Sequence, residues 1–190
     1  MTNDQPTDQN IEERLMFMAR QRGPEKTLCP SEVARQFDSD SSRWRSLMPA
    51  VRSAAGGLVD RGLLVVMQKG APIDLDSAIG PIRLHIHDDQ RDANDPVETL
   101  MNIGPACRDD LQSVDIQTLG DLRDVGALKA FELIMVAKLH LGQRKGVFHP
   151  MYLYALYGAL HDQNCLALPL GIRQGLQRQA AAKKTAWLGK

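Results

Sequence analysis

The feature that most limits the fold is the stretch CPSEVARQF (residues 29–37), a Pro-initiated helix signal placed between two other helical patterns. The earlier pattern starts at Ile11, repeats apolar residues at helical spacing and stops at Gly23. Within the stretch, Ser31 is predicted as the N-cap, and Glu32 adds a favourable charge to the first turn. Short helices that follow each other so closely predict a helix-turn-helix arrangement.

A third helix is predicted directly after the turn-forming residues 38–42. Arg45 and Arg52 are seven residues apart, so they are expected to share one face of this helix. Pro49 is expected to bend the helix, because it removes a backbone hydrogen bond. The apolar stripe on the other face consists of Trp44, Leu47, Met48, Val51, Ala55 and Leu58.

Two short apolar runs after the third helix indicate a β-hairpin. Residues 63–67 are apolar with β-branched members, residues 81–86 alternate apolar with polar, and Lys69-Gly70 makes a turn between them. Three helices followed by a hairpin is the order of a winged helix-turn-helix, in which the third helix enters a groove and the wing touches phosphate. The sequence therefore predicts a mainly α fold with a small β-hairpin in its first domain.

The second half of the chain is predicted to be helical. Thr118 followed by Asp121 has the form of a capping box, and Pro169 precedes the last helix. Residues 180–190 are expected to fray. The expected organisation is a flexible N-terminus (1–10), a winged-helix domain (11–87), an acidic linker (88–97), a compact all-α domain (98–182) and a basic tail (183–190).

Charge and cysteine content limit the partners and the compartment. The 190 residues hold 23 Lys and Arg against 23 Asp and Glu, so any contact with nucleic acid must be local. Cys29, Cys107 and Cys165 are odd in number and far apart, and no apolar leader opens the chain, which predicts a cytoplasmic protein with reduced thiols. No apolar run approaches the roughly 20 residues of a membrane-spanning helix, so no membrane is expected as a partner.

Four cations form the candidate nucleic-acid site. Arg45 and Arg52 on the third helix could contact phosphate or base edges. Lys69 at the wing turn and Arg83 on the following strand could assist them. The alternative is a solvated face whose arginines pair with nearby carboxylates, and the sequence leaves both interpretations open.

The residues that could support chemistry do not form a recognisable set. His85 and His87 would share a strand face and could hold a divalent metal with Asp88 or Asp89, but no Cys pair or third His stands nearby, so no metal or cofactor is assigned. Cys29 is interpreted as a small buried residue instead of a reactive thiol. No nucleophile with a base and no Gly-rich phosphate loop is found, so the chain is expected not to be an enzyme.

Four segments of the first half occur in a specific order: CPSEVAR (29–35), WRSLMPAVR (44–52), VVMQKG (65–70) and GPIRL (80–84). With them, residues 27–84 closely resemble the bacterial domain-of-unknown-function family 3253 (DUF3253). The resemblance implies a winged-helix domain and carries no established activity.

A second resemblance rests on NIGPACRDDLQSVDIQTLGDLRDVGALKAFELI (102–134), MYLYALYGALHD (151–162) and Leu168-Pro169. Residues 98–180 resemble the C-terminal domain of TfoX/Sxy competence regulators, whose usual N-terminal domain is replaced here. Such a domain is similar to helix-hairpin-helix modules, in which turn amides at a helix N-terminus bind phosphate. The resemblance places a possible phosphate turn at Ile103-Gly104, where the following proline contributes no N–H.

The leading prediction is a non-enzymatic regulatory protein that binds DNA through the third helix and wing, while its second domain docks a protein partner. The alternative is a protein-binding adaptor that uses the helical face around Tyr154 and Tyr157. A third possibility is an accessory enzyme domain whose site forms only in a complex. Cations at the C-terminal end could touch phosphate or simply suit a helix C-terminus, and they are Arg173, Arg178, Lys183, Lys184 and Lys190.

Overall fold

The computed structural model describes residues 6–38, 43–143 and 146–188. The chain forms two compact units, the first made of residues 1–59 and 63–88 and the second of residues 60–62 and 89–190. The first combines helices with a small antiparallel sheet, and the second is helical, which confirms the predicted fold class. Of the predicted features, residues 1–5 of the N-terminus, the turn at 39–42 and Lys190 lie outside the described residues.

The first unit contains helices in its first part and most of its strands after them. In chain order they are α1 (Asp8–Arg22), β1 (Thr27–Leu28), α2 (Pro30–Phe37), α3 (Arg43–Ser46), α4 (Met48–Asp60), β2 (Leu64–Gln68), β3 (Ala71–Pro72) and β4 (Arg83–Ile86). A 3₁₀ turn, Leu75–Ser77, lies between β3 and β4.

The sheet of the first unit is antiparallel, with the strand order β1-β4-β2-β3. Its central pair places Val66 opposite Leu84 and Leu64 opposite Ile86, so the predicted pairing of residues 63–67 with residues 81–86 is confirmed. Leu28, Leu64, Val66 and Leu84 are buried and form the contribution of the sheet to the core. Strands β1 and β3 have two residues each, which is too short for the alternation that reveals a strand in a sequence.

Its capping residues and the spacing of its apolar residues explain why α1 forms. Thr7 accepts a hydrogen bond from the amide of Asn10 at 3.2 Å. Gly23 ends the helix with a φ of 72°, a conformation that costs glycine little. Ile11 is fully buried in the core. The helix starts before Ile11, so residues 8–10 belong to it and not to a flexible N-terminus.

The N-cap of helix α2 lies two positions before the predicted one. Cys29 occupies the N-cap position, and its amide donates a hydrogen bond to Oε1 of Glu32 at 3.0 Å. Pro30 lies in the first turn, where its missing N–H costs no helical hydrogen bond. The prediction that Ser31 caps this helix is therefore wrong, and the Ser31 hydroxyl lies 3.0 Å from the Cys29 sulfur instead.

The predicted third helix is in fact two helices, α3 and α4, separated by a turn at Leu47. Pro49 explains the break, because it has no N–H that could continue the α3 hydrogen-bonding pattern to the carbonyl oxygen of Arg45. The carbonyl oxygen of Leu47 accepts a hydrogen bond from Val51 at 2.9 Å and so starts α4. The prediction of one bent helix with Arg45 and Arg52 on a shared face is therefore wrong.

The second unit is helical apart from its turns. Its helices are α5 (Pro105–Gln112), α6 (Leu119–Val125), α7 (Ala127–His140), α8 (Pro150–Leu160) and α9 (Leu170–Leu188). The predicted capping box of α6 is confirmed, since Oγ1 of Thr118 accepts from the Asp121 amide at 3.1 Å and the Asp121 carboxylate accepts from the Thr118 amide at 2.9 Å. Phe131 and Phe148 pack edge to face in the core, with ring centroids 5.7 Å apart. Among the described residues, no helix combines the length and apolar character needed to cross a membrane.

The segment predicted as an acidic linker packs onto the second unit. The guanidinium of Arg91 donates hydrogen bonds to the carbonyl oxygens of Ala159 and Leu160, at 2.7 and 2.9 Å. Val97 is fully buried. From Asp89 onwards the segment therefore belongs to the second unit, because backbone and side-chain hydrogen bonds hold it there.

The end of α9 is bound to α7. Glu132 accepts hydrogen bonds from Nζ of Lys183 at 2.8 Å and from Nε1 of Trp187 at 3.1 Å. The bond from Lys183 is the main cause that lowers the pKa of Glu132 to about 2, and the bond from Trp187 adds to it. The predicted fraying is therefore wrong for residues 180–188, which are helical.

Candidate nucleic-acid interface

The first unit places two arginines against one indole ring. Arg35 of α2 and Arg45 of α3 each hold the guanidinium carbon 4.6 Å from the ring centroid of Trp44. Both arginines are exposed, and Trp44 is partly buried against the core. The distances are those of cation–π contacts. These three residues are called the arginine–tryptophan cluster below.

The packing of α2 against α3 produces the arginine–tryptophan cluster. Since each guanidinium carbon is 4.6 Å from one ring centroid, the two carbons are at most twice that distance, 9.2 Å, apart. Two positive charges held this close attract an anionic group that reaches both of them. The sequence reasoning missed Arg35, and the only signal for it is its position in the CPSEVAR segment.

Arg52, a predicted contact residue, is engaged with residues 69–82, the segment between β2 and β4 that was predicted as a wing and is called the wing below. Its guanidinium donates a hydrogen bond to the carbonyl oxygen of Ala78, with 3.4 Å between the two atoms. A Cβ added at Gly56, one turn further along α4, would stand 3.2 Å from Cδ2 of Leu75. The 3₁₀ turn that contains Leu75 therefore lies along α4, and Arg52 helps to hold the wing in place.

Lys69 occupies the tight turn between β2 and β3. Lys69 and Gly70 have φ values of 52° and 82°, and they connect the paired residues Gln68 and Ala71. Two successive positive φ values are what a type I′ turn requires, and they are uncommon for lysine. The side chain of Lys69 is exposed. The structure thus places a cation at the start of the wing.

Arg83 lies at the first position of β4 and is partly paired with a carboxylate. Its Nη1 atom is 3.6 Å from Oε1 of Glu32, and 57% of its side chain is exposed. Glu32 also forms an ion pair with Arg22. Burial opposes the ionisation of Glu32, but the hydrogen bonds from the Cys29 amide and from Arg22 outweigh it and lower its pKa. Arg83 therefore combines an exposed charge with a weak internal partner.

The four predicted cations lie on four different elements: α3, α4, the turn between β2 and β3, and β4. From residue 43 to residue 73 the chain has five Lys and Arg residues and one acidic residue, Asp60. Each exposed guanidinium or ammonium group suits phosphate oxygens, which accept charge-assisted hydrogen bonds. The structure describes no contact that joins these four cations into one cluster.

The possible phosphate turn of the second unit lies at the N-terminus of α5. Ile103 is buried, and Gly104 is an exposed N-cap with φ −85° and ψ 175°, an ordinary extended conformation. Asn102 precedes them with a φ of 71°. Its side chain donates to the carbonyl oxygen of Gln163 at 2.8 Å and accepts from the amide of Cys165 at 3.0 Å. Asn102 therefore fixes this turn, although the sequence reasoning did not single it out.

The tyrosines considered for partner docking make contacts within the second unit. The hydroxyl of Tyr152 donates to the carboxylate of Asp110 at 2.5 Å. Burial raises the pKa of Tyr152, and the bond to Asp110 raises it further. The hydroxyl of Tyr154 donates to the carbonyl oxygen of Arg173 at 3.1 Å, and Tyr157 is 7% exposed. These side chains therefore serve packing inside the unit.

Thiols and histidines complete the set of candidate chemical groups. The three cysteines are free and partly buried. Burial raises the pKa of the Cys107 thiol, which disfavours the nucleophilic thiolate. His85 lies in β4, and the amide of His87 bonds to the carbonyl oxygen of Leu63 at 3.0 Å. Within residues 6–38, 43–143 and 146–188, no group of three or more His, Cys, Asp or Glu side chains is arranged to hold a metal ion.

The chain matches two protein families in succession. Residues 8–87 match the model of a family described as a protein of unknown function, DUF3253. Residues 93–180 match the model of the TfoX C-terminal domain. Both resemblances found in the sequence are therefore confirmed, in the predicted order. No curated protein matches the chain.

Proposed function

We propose that this is a non-enzymatic regulatory protein whose first unit binds nucleic acid through phosphate contacts. The observation that carries the proposal is the arginine–tryptophan cluster, in which Arg35 and Arg45 hold exposed positive charge around Trp44. Lys69 and Arg83 add exposed cations from the wing turn and from β4. Phosphate is the anion that such guanidinium and ammonium groups most often contact in nucleic-acid complexes.

The order of elements in the first unit supports the proposal. We interpret α2, α3 and α4 as the helices of a winged helix-turn-helix, in which α2 precedes the turn and α4 follows it. Strands β1, β4 and β2 are neighbours in that order, and residues 69–82 connect β2 to β4 as the wing. In this interpretation α4 is the helix that faces a DNA groove.

The second unit supports a regulatory role. It matches the TfoX C-terminal domain, which is not an enzyme family, and it resembles the corresponding domain of competence regulators. In the proposal this unit docks a protein partner, and the turn at Ile103-Gly104 adds an accessory phosphate contact. Gly104→Ala tests that contact, since φ is −85° and an added Cβ meets no atom within 4 Å. The substitution would leave the turn intact but keep a phosphate further from the backbone.

The proposal is tested by fluorescence-anisotropy titration of the full-length protein against mixed-sequence duplex DNA at several salt concentrations. We expect salt-dependent binding. Arg35→Ala combined with Arg45→Ala should weaken it and reduce the slope of log K against log salt by about 2, since each lost phosphate contact removes about one released counterion.

The matched control is Arg14→Ala combined with Arg20→Ala, which removes two exposed arginines from α1. This control should leave the salt slope unchanged. If the cluster variant binds DNA as tightly as the wild-type protein, the arginine–tryptophan cluster is not the contact surface.

A protein-binding adaptor is the second candidate function, and exposed apolar side chains in the second unit favour it. Leu166 and Leu170 are 70% and 64% exposed, and both lie at the entrance to α9. The tyrosines cannot provide this surface, because they are engaged inside the unit. If the protein binds no DNA even at low salt, the adaptor becomes the better-supported function. Leu166→Ser with Leu170→Ser should then abolish co-purification of a stoichiometric protein partner.

A further inference from the structure

The outer face of α4 carries few groups that could read a base. Helix residues such as Met48, Ala50 and Val59 pack against the core. Between residues 48 and 59 the remaining exposed or partly exposed positions are Pro49, Arg52, Ser53, Gly56 and Gly57. Proline and glycine side chains have no hydrogen-bonding group. The last residue of α4, Asp60, is partly buried, and its carboxylate accepts a hydrogen bond from the amide of Leu128 at 2.9 Å.

The wing occupies part of the same face. Arg52, the one long polar side chain in this set, donates its hydrogen bond to Ala78 of the wing. At Gly56, Leu75 approaches so closely that an added Cβ would be 3.2 Å from its Cδ2 atom. Ser53 is then the remaining polar side chain, and a single hydroxyl discriminates poorly because it can donate to or accept from several base edges.

The cations that suit phosphate lie outside α4. Arg35, Arg45 and Lys69 belong to α2, α3 and the turn between β2 and β3. The ring of Trp44 carries two guanidinium groups, so it is not an open platform on which an unpaired base could stack. Phosphate contacts position a protein on a duplex, whereas base contacts carry the sequence information.

From this division we infer that the first unit binds the phosphate backbone of duplex DNA without reading its base sequence. The inference rests on the proposed nucleic-acid function and adds the class of ligand, which is double-stranded DNA of any sequence. Binding of this kind depends steeply on salt and shows little difference between sequences.

The test is a selection with the full-length protein from a random-sequence duplex library, followed by anisotropy titrations of selected and unselected duplexes at one salt concentration. We expect no enriched motif and dissociation constants within about threefold of each other. A motif bound more than about tenfold tighter than unselected duplex overturns the inference and leaves the proposed function standing. If single-stranded DNA binds tighter than every duplex, the inference also fails. If no nucleic acid binds at low salt, the proposed function fails first and the inference falls with it.

Two variants test separately whether α4 reads bases and whether the arginines contact phosphate. Ser53→Ala removes the remaining polar side chain from the outer face of α4, and alanine preserves the helix. It should change the affinity for every duplex by less than about twofold, which is the size expected when no base contact is lost. Arg35→Ala with Arg45→Ala should weaken all duplexes by a similar factor. A loss of affinity for some duplexes but not others on Ser53→Ala would show that α4 reads bases.

Discussion

The guanidinium group of Arg52 donates a hydrogen bond to the carbonyl oxygen of Ala78, and the two atoms are 3.4 Å apart. On the other side of the wing, Nε2 of Gln68 donates to the carbonyl oxygen of Ile79 at 2.8 Å. Side-chain hydrogen bonds therefore hold the wing against both α4 and β2. Its position relative to α4 depends on these two side chains.

Arg52→Ala is expected to loosen the wing while affecting DNA affinity less than Arg45→Ala does. The lost hydrogen bond contributes about 1 kcal/mol to the local stability. Hydrogen-exchange mass spectrometry should show faster exchange of residues 73–80 and unchanged exchange of α1. An affinity loss as large as that of Arg45→Ala would make Arg52 a direct DNA contact.

Lys69→Asn is expected to remove the wing charge without harming the turn. Asn followed by Gly is preferred where two successive residues have positive φ, so the thermal unfolding midpoint should stay the same or rise. The salt slope of DNA binding should fall by about 1, because one phosphate contact is lost. Lys69→Arg, which keeps the charge, is the matched control and should keep the affinity. Wild-type affinity in Lys69→Asn would remove Lys69 from the interface.

Two substitutions of Asn102 should show how its side chain stabilises the turn before α5. Asn102→Gly loses the two side-chain hydrogen bonds but tolerates the φ of 71°, at a cost of about 1 kcal/mol for each bond. Asn102→Ala loses the same bonds and adds a steric penalty of roughly 1 kcal/mol in the left-handed region. The free energy of unfolding measured in urea should therefore be highest for the wild type, lower for Asn102→Gly and lowest for Asn102→Ala. Equal stability of the two variants would mean that the turn changes conformation when the bonds are lost.

Asp89→Asn is expected to destabilise the second unit strongly. The carboxylate is 7% exposed and receives hydrogen bonds from Arg91 at 2.9 Å and an ion pair from Arg123 at 2.6 Å. Burial opposes its ionisation, but the bonds from Arg91 and Arg123 hold the pKa of Asp89 well below its usual range. Removing the charge from this partly buried pair is expected to cost about 1 to 3 kcal/mol, because Arg91 and Arg123 lose a charged hydrogen-bond acceptor.

The control for Asp89→Asn is Asp92→Asn. Asp92 is exposed, and its Oδ1 atom accepts from the amide of Asn94 at 2.9 Å, a bond that an asparagine side chain can also accept. Urea unfolding of this control should differ from wild type by less than about 0.5 kcal/mol. Similar losses in both variants would show that Asp89 contributes no more than a surface residue.

Low pH is expected to detach the C-terminal end of α9 from α7. The pKa of Glu132 is about 2 in the folded protein against an ordinary value of 4.5, mainly because Lys183 donates a hydrogen bond to it. The folded-state pKa is the lower one, so this contribution to stability is complete above about pH 4.5 and is lost as the pH falls towards 2. In a Trp44→Phe protein, Trp187 is the remaining tryptophan, and its fluorescence should change across this pH range. Glu132→Gln should lack that transition, and an equal transition in this variant would assign it to another group.

Local features of the fold were predictable because neighbouring residues determine them. Thr118 and Asp121 form the predicted capping box, and Lys69-Gly70 forms the predicted turn. The mainly helical class and the pairing of β2 with β4 also follow from apolar spacing. These features depend on backbone preferences and periodicity, which a sequence displays directly.

The candidate site was less predictable because it depends on tertiary contacts. Helical periodicity places Arg45 and Arg52 on one face, but Pro49 divides the helix and separates them. Arg35 meets Trp44 only because α2 packs against α3. Arg52 bonds to a residue 26 positions away in the chain. No local pattern encodes these distances, so the sequence identified most of the cations but not their arrangement.

The bond between Trp187 and Glu132 bears on where this protein can be cut. The match to the TfoX C-terminal family ends at residue 180, whereas α9 continues to Leu188. A fragment that stops at the family limit would lack Lys183 and Trp187 and would leave Glu132 without two of its hydrogen-bond donors. The smallest fragment expected to fold like the second half of the intact protein therefore extends beyond the region that the family model matches.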